Sequence, residues 1–444
     1  MSSNVATISE SMAKEAPVDS RKGRWRTVGV LSLLQLVENS EGGLINSLFP
    51  VIRADLGLGL GALGVLTSIG KFARMLFGPI WAMLGDRFGR KLILVITALW
   101  GVWMVGAGFA QNFTQLMVLY AIGVIGTVAG EPISNGLVSD RFGPTERGRV
   151  YGTMRSVTGA GSILLMPLLG QLAGMPDNQG WRIGMFIMGG IGVAAGILTW
   201  LLVTDPRRGV SDATYAKSLA KAESREAAFR LADVPRLMAI PTVALLAVQL
   251  IFITSLVLFA FQVVFLVDVR KYTTQEATII TSVFFLGFTI SSFVGGLLGD
   301  WFERKNPNGG RILLMQIYLV AFAALSFLAM QVDWGNRALE YAVWLAFGLV
   351  GSIGFSGCVL PMVSNVVPAE YRGTAFALLF SFVQGALAAL LSLALGGLAQ
   401  QYGLRPVMLW LVTAPYAVNA AFWFLFYRFY PQDVAAQQAR AVKA

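Results

Sequence analysis

The sequence predicts an all-α membrane protein of twelve transmembrane helices in two pseudo-symmetric six-helix halves. Three observations carry that expectation: composition, the placement of basic residues, and a pair of loop motifs that recurs. Of 444 residues, 56% are hydrophobic and 13% charged, and the mean hydropathy is +0.66. Soluble domains carry roughly 25% charged residues. A bilayer core takes about 20 apolar residues per helix, so this supply suffices for about twelve crossings.

The apolar runs divide in order. Spans are expected at 26–50, 60–84, 92–110, 115–139, 148–172 and 181–203, then at 241–268, 274–298, 310–331, 337–365, 374–402 and 405–428. Residues 1–25 are polar, carry Lys14, Arg21, Lys22 and Arg24, and have no apolar signal-peptide core, so they read as a cytoplasmic tail. Residues 429–444 read as a second cytoplasmic tail. The resulting organisation is a bundle at 26–203, a linker at 204–240 and a bundle at 241–428. In the linker, Lys217, Lys221 and Arg225 recur at every fourth position. That basic face fits a helix lying on anionic headgroups, and equally a solvated linker helix.

Charge supports this threading. With both termini inside, 25 of the 34 Lys and Arg fall on the inner side. Arg53, Arg182, Arg270, Lys271, Arg337 and Arg405 fall outside, and Lys71, Arg74 and Arg155 lie within spans. Such a bias is the positive-inside pattern. It accounts for the net charge of +10 without nucleic acid as a partner. The location expected is the plasma (inner) membrane. The chain has no histidine, and Cys358 is its one cysteine. Histidine relays, thiolate metal clusters and internal disulfides are therefore excluded. No GxxxxGK[ST] loop occurs, so ATP is not the energy source. No nucleophile–base set is present either. The chain is expected to be neither an enzyme nor a holder of metal or cofactor.

The loop after span 2 reads LGDRFGRK at 84–91, and the loop after span 8 reads LGDWFERK at 298–305. A second pair, FGPTERGRVYG at 142–152 and VPAEYRGTAFA at 367–377, follows spans 4 and 10. Two motifs repeated in the same order mark two six-span halves. Glycines at 348, 351, 354 and 357, and the pairs Gly126/Gly130 and Gly192/Gly196, read as helix-packing devices.

Six plus six spans with these loops resemble the major facilitator superfamily over residues 26–428. The family loop is Gly, three residues, Asp-Arg, any residue, Gly-Arg-Lys/Arg. Here Ala82 replaces the first Gly, and Asp86, Arg87, Gly89, Arg90 and Lys91 match. In the second copy Gly296, Asp300, Arg304 and Lys305 match, while Trp301 and Glu303 depart. The resemblance implies alternating access and a gate in which Asp86 meets the start of span 11 near Gly373. Arg141 is a second partner for Asp86. That latch would favour the outward-open state.

The residues with most to say are charges inside spans. Glu38 and Glu41 lie in span 1, Lys71 and Arg74 in span 2, Glu131 in span 4 and Arg155 in span 5. A charge at the bilayer centre costs at least ~2.5–3.5 kcal/mol, so each needs a partner or a cavity. Depth suggests the pairs Glu41–Lys71, Glu38–Arg74 and Glu131–Arg155. Without histidine, a carboxylate is the group left to carry a proton. Glu41, Glu38 and Glu131 are therefore the proton-coupling candidates, against the alternative of a permanently ionised network that only ties helices together. Lys71, Arg74 and Arg155, with Gln249, Gln262, Asn365 and Gln384 of the neutral second half, are the substrate-binding candidates. Ser364 is a further polar group there.

Span 1 also resembles the anion:cation symporters and spinster-type lipid transporters, which have Asp-Arg nine residues before a similar Pro. Counting back from Pro50 reaches Glu41, with Gly42 in place of the Arg. Their span-4 Glu falls on Glu131, and Val124 stands where they carry a further Arg. The expected function is proton-coupled secondary transport of a small organic solute, an organic anion or an amphipathic molecule. The alternatives are a lipid, lysolipid or drug exporter, or a non-transporting membrane sensor. The partners expected are the solute, protons and membrane lipids, and the resemblance implies a monomer.

Overall fold

The computed structural model describes residues 21–142, 144–203, 234–368, 371 and 375–443. The expected interfacial helix at 204–240 falls almost wholly outside them. Twelve helices carry the fold. They are α1 (Arg21–Leu56), α2 (Leu60–Phe88), α3 (Arg90–Ala107), α4 (Phe113–Thr127 continuing as Gly130–Arg141), α5 (Pro144–Ala173) and α6 (Gly180–Leu202). The second half has α7 (Pro241–Asp268), α8 (Thr274–Lys305), α9 (Gly310–Gln331), α10 (Arg337–Val366), α11 (Ala377–Tyr402) and α12 (Leu404–Ala439).

Ten of these are long and apolar enough to cross a membrane. The other two are the informative ones. α1 is long enough, but Glu38-Asn39-Ser40-Glu41 sits at its middle. α4 is broken in the middle. The last helix continues beyond the expected span, because its end, through the AAQQARA segment, is built from good helix formers.

Odd-numbered helices finish, and even-numbered helices begin, at the end of the molecule that is poor in bases. There the halves are joined. Arg53 at the end of α1 holds Asp268 at the end of α7 through two parallel bonds of 2.6 Å. Gln400 of α11 accepts from the Gly61 N–H at 3.2 Å, capping the start of α2. Ser68 of α2 donates to the Ala389 carbonyl of α11 at 2.7 Å. Between these, α2 and α11 touch backbone to backbone: a methyl on Gly396 would sit 3.0 Å from the Gly64 Cα. α5 and α8 also approach closely, with Gly170 facing the Thr278 side chain and the Gln275 Cα. The described cross-half bonds at this end close it.

The glycine rows act in packing, as expected. Gly348 meets the Phe284 carbonyl, Gly351 the Phe288 ring, Gly354 the Tyr318 ring and Gly357 the Gly295 carbonyl, so α10 lies against α8 and α9. Behind them stand Phe322 stacked on Tyr416 at 3.8 Å and Trp423 stacked on Phe426 at 4.0 Å.

Of the base-poor-end arginines, Arg53 alone pairs across the halves among the described residues. Arg182 pairs with Asp55, Arg337 with Glu276, and both Arg270 and Arg405 with Asp333. Opening this end must therefore break the Arg53–Asp268 fork. Spin labels at Phe109 and Tyr402, both well exposed, on a Cys358→Ala background, read that separation. Arg53→Ala and Asp268→Ala should each populate a longer distance, and the swap Arg53→Asp/Asp268→Arg should restore the short one.

Candidate functional site

The site is built around the break in α4. The run up to it is rich in β-branched residues and glycine, and Pro132 has no N–H to give. At the break the Ala129 N–H turns to the Gly126 carbonyl at 3.2 Å. That releases the Ile125 carbonyl, which the Trp81 indole takes at 2.5 Å. The Trp100 indole takes the Ile122 carbonyl at 2.7 Å. A buried carbonyl left alone would cost about 1–3 kcal/mol, so the two tryptophans hold the break open.

The second segment, Gly130–Arg141, then presents a helix N-terminus inside the membrane. Its Glu131 N–H has no helical acceptor and donates to Glu38 Oε2 at 2.8 Å. Just before the break, Thr127 donates to Glu41 Oε2 at 2.5 Å. Both α1 carboxylates therefore attach to α4 at its interruption. Arg74 of α2 completes the cluster, 3.1 Å from Glu38 Oε1 and 3.2 Å from Glu131 Oε2. The Glu38 side chain is 3% exposed, whereas those of Arg74 and Glu131 are 47% and 42% exposed. One wall of the cluster is dry and the other open.

Of the three expected ion pairs, Glu38–Arg74 forms. Glu131–Arg155 does not: the first turn of the new α4 segment faces α1 and α2, which brings Glu131 to Arg74, while Arg155 lies exposed on α5. Glu41–Lys71 does not form either, because Glu41 is bonded to Thr127 and its Oε1 is buried without a hydrogen-bond partner. Lys71 lies one turn from Arg74, toward the base-poor end.

The second-half amides separate. Gln249 accepts from Asn419 at 3.2 Å, a bond between α7 and α12. Gln262 is fully buried with neither amide atom bonded. Asn365 donates to Glu303 at 3.2 Å and to the Tyr430 hydroxyl at 3.0 Å. Gln384 is partly exposed and precedes Gly385, which faces Met75 of α2 across the halves.

Among the gating candidates, Gly373 and the side chains of Asp86 and Arg141 lie outside the described residues, so the expected latch does too. Arg87 and Arg304 are exposed and Arg90 partly so. Asp300 pairs with Arg311 at 2.8 Å. Arg311 also holds Glu303 at 2.5 Å and the Gly357 carbonyl. Glu303, a departure from the family motif, thus links the buried Arg311 to Asn365 while staying partly exposed itself. Sequence reasoning passed over Thr127, Arg311, Arg53 and Asp268. By position in the sequence Arg311 and Arg53 read as ordinary bases at span ends, and a lone threonine in an apolar run carries no signal.

The model of the Major Facilitator Superfamily matches residues 31–391. The chain belongs to that superfamily. It is 34% identical over 144 residues to the multidrug resistance protein MdtG of Yersinia enterocolitica, covering 32% of this chain and 34% of that one. It is 22% identical over 284 residues to the hexuronate transporter of Bacillus subtilis, covering 61% and 63%. It is 28% identical over 167 residues to the quinolone resistance protein NorA of Staphylococcus aureus, covering 37% and 42%. These matches therefore span from about a third to under two thirds of each relative's length. Two solved structures share the fold. One is a bacterial homologue of the human lysosomal transporter Spinster, inward-facing and occupied, with TM-score 0.76, 20% identity and 93% and 99% of the two chains covered. The other is the D-xylose–proton symporter, with TM-score 0.72, 15% identity and 90% and 97% covered.

Two consequences can be measured by thermal unfolding. Arg74→Gln strands two carboxylates and should cost about 2 kcal/mol or more, less than a fully buried pair because one wall is open. Adding Glu38→Gln should recover part of that loss, and simple additivity would deny the pairing. Separately, the Arg405 and Arg270 guanidiniums hold the Asp333 carboxyl below the usual carboxylate range. A depressed carboxylate stabilises the fold above its unfolded pKa, and the effect is lost as pH falls through the folded one. Asp333→Asn should therefore melt earlier than wild type at neutral pH, with the two curves converging in acid.

Proposed function

We propose that the chain is a secondary active transporter that moves a small organic solute, an organic anion or an amphipathic molecule, by alternating access with proton coupling. The observation that carries this reading is the Glu38–Arg74–Glu131 cluster at the α4 break, half open and half dry. A membrane-buried carboxylate can exchange a proton, and an adjacent guanidinium can exchange an anion. Coupling follows if each event changes the other's partner. Glu38, Glu41 and Glu131 carry the proton. Arg74 heads the solute-binding group, whose other members are Lys71, Arg155, Gln262 and Gln384. Gln249 and Asn365 are already bonded to neighbouring helices and act first in packing. The closed base-poor end is the outer gate, and Asp86, Arg87, Arg90, Arg141, Asp300, Arg304 and Gly373 belong to the inner one. The chain works as a monomer in the plasma membrane with both termini cytoplasmic. The name of the hexuronate transporter relative supports an anionic solute. The names of the multidrug and quinolone resistance relatives support a second reading, export of amphiphiles.

Liposomes loaded with a pH-reporting dye separate the two. One panel holds small carboxylates and sugar acids, the other lysolipids and lipophilic cations. On the first reading a carboxylate gradient drives proton movement, and Glu41→Gln or Glu131→Gln lowers that movement at least tenfold. Flux of amphiphiles alone, equal in wild type and Glu41→Gln, would replace it with the second. Binding without flux in either panel would point to the sensor.

A further inference from the structure

We propose that the Glu131 N–H and the Arg74 guanidinium form the subsite for the solute's carboxylate, and that Glu38 is its built-in occupant. The proposal rests on the transporter reading and names the substrate class, a carboxylate-bearing solute. Three observations support it. First, the donors are arranged as a carboxylate receptor: Glu131 N–H at 2.8 Å from Glu38 Oε2, and Arg74 at 3.1 Å from Oε1. The N–H opens a twelve-residue helical segment, whose dipole favours an anion. Second, Glu38 is under-satisfied for so buried a group, since its Oε1 meets Arg74 as an ion pair without an aligned hydrogen bond. Third, the receptor is reached from the open wall through Arg74 and Glu131, while Glu38 enters it from the dry one.

Glu38 also has somewhere to go. Glu38 itself lines a water-sized, mostly apolar cavity together with Leu34, Val37, Thr97, Thr127 and Gly130, so a turn of its side chain fills that space. A carboxylate would not retreat there, because burying an unpaired charge is costly. A protonated, neutral carboxyl can, and its O–H can donate to Thr127 or Thr97. The exchange balances: Glu38 takes one proton and leaves, the solute carboxylate takes its two donors, and the local charge is unchanged. The solute's anionic group and one proton therefore enter together. Every charge around Glu38 fits this scheme. Arg74 and Lys71 come from α2, Glu131 from α4 and Glu41 from α1 itself, while α3 offers Thr97 and α6 Gly192, neither of which titrates. Arg155 of α5 is exposed.

Formate is the probe, since it is a carboxylate with no side chain. It is titrated into the purified protein at constant ionic strength while thermal unfolding is followed. A ligand that binds only the folded state raises Tm in a saturable way. At pH 8 wild type should give no response, because Glu38 fills the subsite, and Glu38→Ala should give a saturable rise. Glu38→Ala/Arg74→Gln should lose that rise, and Glu41→Ala should never gain it. Wild type should acquire the response at pH 6. Should Glu38→Ala fail to fold, Glu38→Gln carries the same comparison, with binding expected to be equal at both pH values. No response in either Glu38 variant, or an equal response without Arg74, overturns the proposal. The measurement needs no transport, so it fails or stands separately from the liposome experiment.

Discussion

The absence of water at mid-membrane depth is the constraint on which the site depends. Glu38 and Glu41 on α1 cannot stay ionised there without donors, and neighbouring α2 supplies one guanidinium, Arg74. The remaining donors come from α4, the Thr127 hydroxyl from its side chain and the Glu131 N–H from the break. An unbroken helix would spend the Glu131 N–H on its own carbonyl four residues back. The break places that N–H on Glu38, and Thr127, just before it, gives its hydroxyl to Glu41. Irregular backbone inside a membrane is tolerated where it is covered by protein or lines a cavity. Here Trp81 and Trp100 provide the cover from one side and the carboxylates from the other.

The second half follows the same rule with a different outcome. Its buried cation, Arg311, finds Asp300, Glu303 and the Gly357 carbonyl near the base-rich end, where α8, α9 and α10 converge. Glycines let those helices approach closely enough for a backbone carbonyl to serve as a partner. The middle of this half is occupied by stacked aromatic rings and amides. The two halves thus share a fold and differ in where charge is kept: the first holds its cluster at the α4 break, and the second ties its buried Arg311 to the more exposed carboxylates of Asp300 and Glu303.

Closure at the base-poor end rests on different physics. The α2–α11 seam is backbone against backbone at Gly64 and Gly396, so its contact is steric and short-ranged. The Arg53–Asp268 fork adds the directional part, two charge-assisted bonds that exist only when the halves meet. Such contacts form or break as a unit, which suits a gate better than graded packing would.

Much of this was legible in the residues alone. Hydropathy and the basic bias set the number and order of the spans, because the bilayer imposes a length and a charge rule on each helix by itself. The repeated loops marked the halves and the superfamily. Charges in spans 1, 2 and 4 pointed to the residues that cluster at the α4 break, since a charge inside a span is conspicuous in the sequence, and the Glu38–Arg74 pair followed from depth along two helices, whereas Arg155 of span 5 stands apart. What depth could not supply was azimuth. Whether Glu131 turns to Arg155 or to Arg74 depends on how α4 restarts after its break. Whether Glu41 meets Lys71 or Thr127 depends on which helix faces it. The cross-half pair Arg53–Asp268, 215 residues apart, and the adoption of Glu303 by Arg311 likewise arise where separate helices cross. Each helix carries its own membrane rule in its sequence, but the partner of a buried charge is decided only when the helices pack.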